Sequence, residues 1–121
     1  MSLKALAWVS GLYDLALAVP MLFAARETAR LFGAPDPVPL LNAQLNGVFT
    51  LALGAGYLWA AAAPDERRGY FWVAGVLAKG VGAALFVLDH FLRGSPTSFL
   101  LFAATDGTLA LVTLALLLRR R

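Results

Sequence analysis

Three ionisable residues, Asp14, Lys79 and Asp106, stand in the middle of long apolar stretches. Two carboxylates and one ammonium support two kinds of behaviour: holding and passing a proton, or forming a buried ion pair with a spare hydrogen bond. Neutral polar residues accompany them. Asn42 and Asn46 are four positions apart and share one helix face, with Gln44 pointing elsewhere. Asn46 is placed to hydrogen-bond Lys79 or an aspartate, while interhelical adhesion explains both asparagines equally well. Tyr13, Thr105 and Thr108 flank the acidic positions and extend the candidate network. Tyr57 reads as packing. Asp89 and His90 read as solvated residues at a helix end, with a proton relay through His90 as the alternative.

The remaining composition removes most catalytic schemes. The chain has no cysteine and one histidine, so disulfides, thiol chemistry, thiolate metal sites and multi-histidine centres are excluded. It carries no nucleophile–base pair and no phosphate-cradling loop, so an enzyme is the weakest reading and no catalytic residue or cofactor is assigned. The net charge of +3 and pI near 9.8 do not indicate nucleic acid, because the basic residues are not gathered into one patch.

The elements that must position the three charges are transmembrane helices. Of 121 residues, 60% are hydrophobic and 14% charged, with mean hydropathy +0.75. Soluble domains are roughly 45–50% apolar and about 25% charged, and no fold of this size hides so much apolar side chain from water. Four stretches have the roughly 20 apolar residues a bilayer crossing needs: Leu3–Ala25, Leu40–Ala62, Gly69–Phe91 and Thr97–Leu118. The expected fold is all-α, one domain over residues 1–121, a four-transmembrane-helix up-down bundle. A signal peptide is the alternative for the first stretch, against which stand its length and Asp14. Pro20 interrupts that stretch and is expected to bend it. Pro39 and Pro96 precede the second and fourth, where helix starts tolerate proline. Arg26–Phe32 reads as a short amphipathic helix and GAPDPVP as a stiff return from it. In the third stretch Ala74, Ala78 and Gly82 form a small-residue ridge. That predicts the best-packed helix, with its glycines alternatively serving a homodimer face.

Depth and orientation follow from counting. Asp14, Lys79 and Asp106 each fall within about two residues of a span midpoint, and Asn46 lies about 7–8 Å from the midplane at ~1.5 Å per residue. Three unpaired charges there cost on the order of 8–10 kcal/mol, so they are expected to meet one another or water. One of the two acids then holds a proton to balance the charge. One side of the membrane has Lys4, Arg67, Arg68, Arg119, Arg120 and Arg121, the other Arg26, Arg30 and Arg93. By that imbalance both termini face the cytoplasm. Trp8, Trp59, Trp72 and Tyr70 map to the same inner end as an aromatic belt.

Four segments carry a resemblance. They are the LFG-x-P-x-P loop, the LNAQLNG start of the second span, the YLWAAAAPDERR turn, and a lysine-bearing third helix followed by an acidic fourth. With these the chain resembles small bacterial four-helix membrane proteins of the DoxX-like type. The resemblance implies an inner-membrane bundle of a kind thought to assist membrane redox systems or small-molecule handling. It assigns no catalytic residue. The expected function is a ligand-binding or accessory module, alone, as a homo-oligomer or within a larger membrane complex. The alternative is a proton-coupled carrier or channel working as an oligomer.

Overall fold

A computed structural model describes residues 1–119; Arg120 and Arg121 of the expected basic anchor lie outside the described residues. Helices account for all regular structure among them. Helix α1 (Leu3–Phe23) begins where the Ser2 hydroxyl accepts the Ala5 N–H at 3.1 Å, a standard N-terminal cap. It ends three residues after Pro20, where the Ala24 N–H turns back to the Pro20 carbonyl at 2.7 Å. Helix α2 (Ala25–Leu31) follows directly, on the segment expected to be a short separate helix. Gly33, at φ +69°, stops it. The left-handed conformation, easy only for glycine, lets the Ala34 N–H reach the Ala29 carbonyl at 2.8 Å.

Helix α3 (Leu40–Ala61) starts after Pro39. The next rod is continuous over Arg68–Arg93 but not uniform. It comprises α4 (Arg68–Tyr70), a π-helical segment (Phe71–Ala78) and α5 (Lys79–Arg93). Helix α6 (Phe99–Arg119) completes the chain. Three of these, Leu3–Phe23, Arg68–Arg93 and Phe99–Arg119, are long and apolar enough to cross a membrane. Helix α3 is as long, at 22 residues, but Asn42, Gln44 and Asn46 dilute its first half.

The helices associate as two pairs. Helix α1 runs along α3, and the π–α5 rod along α6. In the first pair the backbones nearly touch. A methyl group added at Gly11 would lie 3.1 Å from the Gly54 carbonyl oxygen, and one at Gly54 would lie 3.0 Å from that of Gly11. Without a hydrophobic drive between helices in lipid, such close approach is the main source of attraction. The expectation that the third helix packs best is therefore corrected. Ala74 is buried on its ridge, but Ala78 borders open space and Gly82 has nothing within 4 Å of an added methyl group. A small residue helps only where another backbone or side chain comes to meet it.

The two pairs meet at the end that carries the N-terminus, the α3–α4 turn and the last turns of α6. There Leu3, Leu6, Ala7, Tyr57, Ala60, Phe71, Ala74, Leu116 and Leu117 form the core. Tyr57 stacks edge-on to Tyr70 and Phe71. Arg67 lies over the Trp59 ring at 4.2 Å and also donates to the Trp59 carbonyl. Arg68 donates to the Leu117 carbonyl at 2.8 Å, satisfying one of the acceptors left at the end of α6. Towards the other end side chains do not fill the space between the pairs.

Candidate functional site

The unfilled space is a half-open cavity of about 620 Å³. Its walls are apolar and aromatic, from Leu17 and Met21 on α1 to Phe86, Phe99 and Phe102 on the second pair. Helix α2 and the proline-rich loop, through Ala29, Phe32, Pro35 and Pro37, close part of its rim. The Ser98 hydroxyl donates to the Phe32 carbonyl, and the Phe32 ring packs 4.9 Å from that of Phe102. The short helix and its stiff return thus border the cavity and are attached to the start of α6.

At the junction of cavity and core stand the three charges. Lys79 Nζ donates to Asp14 Oδ1 at 2.9 Å and lies 3.6 Å from Asp106 Oδ1. The first distance is a charged hydrogen bond and the second an ion pair without one. The side chains differ in exposure: 7% for Lys79, 5% for Asp14 and 20% for Asp106. The lysine ammonium also sits 5.4 Å from the Tyr13 ring centre and 5.6 Å from that of Tyr57, distances at which a ring face attracts a cation. It therefore lies against α1, α3 and α6 at once and forms a polar link between the two pairs. Among the described residues Asp14 Oδ2 is buried with no hydrogen-bond partner, as are Ser10 Oγ one turn away and Tyr57 OH.

Lys79 is the first residue after the π-helical segment. A π turn is wider than an α turn and resets the angular position of every later residue, and such turns recur at functional sites. Inside the segment, Gly75 admits α6 closely; a methyl group there would lie 2.7 Å from Thr113 Cγ2. Thr113 is fully buried and returns its proton to the Leu109 carbonyl at 2.6 Å.

The flanking residues divide. Tyr13 OH and Thr105 Oγ1 are 2.6 Å apart, a second polar link between the pairs. Thr105 has carbonyl acceptors on Leu101 and Phe102 at 3.0 and 3.2 Å. Its single proton goes to one of these, so Tyr13 is the donor to Thr105. Asn46 lines the cavity, and its carbonyl accepts from Thr50 Oγ1 at 2.8 Å. Asn42 is exposed and away from the cavity, and Thr108 is also exposed and outside it. His90 Nδ1 donates to the Ser95 carbonyl at 2.7 Å, and Asp89 pairs with Arg93 at 2.6 Å. Both lie at the far end of α5.

The sequence reading did not single out Ser10, the aromatic walls or the contact of Tyr57 with the lysine. Ser10 stands four residues before Asp14, hence on its face of α1, and that spacing was the available signal. The phenylalanines had none, since an apolar helix offers no contrast. Among the described residues no three His, Cys, Asp or Glu side chains gather to hold a metal ion. No family model, curated protein or solved structure matches this chain.

Proposed function

We propose that the protein is a membrane module that holds a small amphipathic molecule in the cavity, its apolar body against the phenylalanines and its polar end at Asp14, Lys79 and Asp106. One observation carries this reading: an apolar cavity of about 620 Å³ ends on three converging ionisable groups. Small-molecule sites are typically about 300–1,000 Å³, largely apolar, with a few polar groups that fix orientation. We further infer a four-span, DoxX-like bundle in a bacterial cytoplasmic membrane, with both termini inside. The 22-residue length of α3 and its packing along α1 support the fourth crossing. The excess of basic residues at one end supports the orientation, and the quoted motifs support the family. Proton-coupled transport by an oligomer is the second reading, favoured by the surplus carboxylate at the cavity floor.

Native mass spectrometry of the protein extracted in mild detergent tests the first reading. A one-to-one small-molecule adduct is expected, and Ala78→Trp, which fills the cavity, should abolish it. An adduct that survives in that variant would place the molecule elsewhere. Proton flux in liposomes that disappears in folded Asp106→Asn would favour transport.

A further inference from the structure

The charge of the cavity floor narrows the ligand class. A cationic ligand would supply the counter-charge otherwise assigned to a proton: Asp14 and Asp106, when ionised, outnumber Lys79 by one negative charge, and among the described residues no other Asp, Glu, Lys, Arg or His lines the cavity. Lys79 is engaged on several sides: it is hydrogen-bonded to Asp14, paired with Asp106 and flanked by two tyrosine rings. Asp106 is the most exposed of the three and receives no hydrogen bond from the described residues. Asp14 adds a buried carboxylate oxygen without a hydrogen-bond partner among the described residues. Ionised carboxylates accept hydrogen bonds and donate none, so two acceptors at the floor share a single ammonium. The walls match that deficit. Phe32, Phe86 and Phe99 cluster around Phe102 with ring centres 4.9–6.1 Å away, and aromatic faces attract organic cations most strongly where water is excluded.

We propose that the cavity binds an organic monocation, an amine or ammonium group on an apolar body, with the cation on Asp106. This rests on the reading that the cavity holds a small molecule. An anion would meet two carboxylates, and a neutral acceptor such as a ketone would compete with both of them for the one ammonium at the floor.

Three probes with the same apolar body test the proposal: 4-phenylbutylamine, 4-phenylbutan-1-ol and 5-phenylpentanoate, carrying a positive, no and a negative charge at pH 7. Each is titrated calorimetrically into the detergent-solubilised full chain, with the detergent blank subtracted. The amine should bind about tenfold tighter than the alcohol, in line with hydrogen bonds to charged groups, and the acid weakest. Asp106→Asn should abolish the preference, so that amine and alcohol bind that variant with equal affinity. An alcohol that binds as tightly as the amine, or an acid that binds tightest, overturns the cation class while leaving a ligand-binding cavity. An amine preference that persists in Asp106→Asn overturns the role of that residue. Failure of all three probes to bind overturns the binding reading itself. The ranking on the unmodified protein decides the class even if the variant does not fold.

Discussion

The two ends of this molecule are held together by different physics. At the end bearing the N-terminus, four helices interlock through alanine, leucine and aromatic side chains, and Leu3, Leu6 and Phe71 are fully buried. At the other end the same helices enclose a half-open cavity. The helix pairs are joined beside it by polar contacts, Lys79 with Asp14 and Asp106, and Tyr13 with Thr105. In lipid, apolar surface gains little by leaving its surroundings, so close packing or hydrogen bonding must hold helices together. The packed end uses the first means and the hollow end the second. A protein that has to keep a space open cannot fill it with packing, and ionic contacts hold the walls at its base instead.

Substitutions at each end should separate these contributions. The largest effect is expected from Lys79→Met, which leaves two acids facing each other without a counter-charge. Breaking one side of a buried pair costs about 3–5 kcal/mol, read as a shift in unfolding by SDS titration. Phe71→Ala at the packed end should cost about 3 kcal/mol in the same titration, because the fully buried ring leaves a void. Gly54→Val should follow at about 1–3 kcal/mol, since its added carbons meet the Gly11 carbonyl. A loss confined to the α1–α3 pair, seen as faster backbone hydrogen exchange there, would locate it. Tyr13→Phe removes one hydrogen bond between the pairs and should cost about 1 kcal/mol. Smallest of all is Met21→Ala in the cavity wall, expected to lower the thermal midpoint only marginally because it borders space that is already empty. A large loss for Met21→Ala would show that the hollow end is packed after all, and the contrast between the ends would fail.

The apolar stretches and the three charges were legible because each stands against its background. Twenty apolar residues have few alternatives to a membrane helix, and an aspartate or lysine within them is costly enough to require a partner. A helix boundary was legible at Pro39, where backbone chemistry sets the start. Asn42 and Asn46 illustrate where pattern reading ends. Spacing put them on one face, yet only Asn46 reaches the cavity. The small-residue ridge at Ala74, Ala78 and Gly82 had the right spacing, but the close approach occurs at Gly11 and Gly54. Spacing describes one helix, whereas contact depends on which neighbour arrives and at what angle. The π-helical segment before Lys79 left no mark in residue type, because helical pitch there is a compromise with packing on α6.

The pairing of α1 with α3 and of α5 with α6 has a consequence for biogenesis. Each pair joins stretches adjacent in sequence, so closing it costs little loop entropy and does not wait for the rest of the polypeptide. The amino-terminal hairpin can assemble while its successor is still being synthesised. Lys79 belongs to the second hairpin and its partner Asp14 to the first, so this ion pair forms only when the two halves meet.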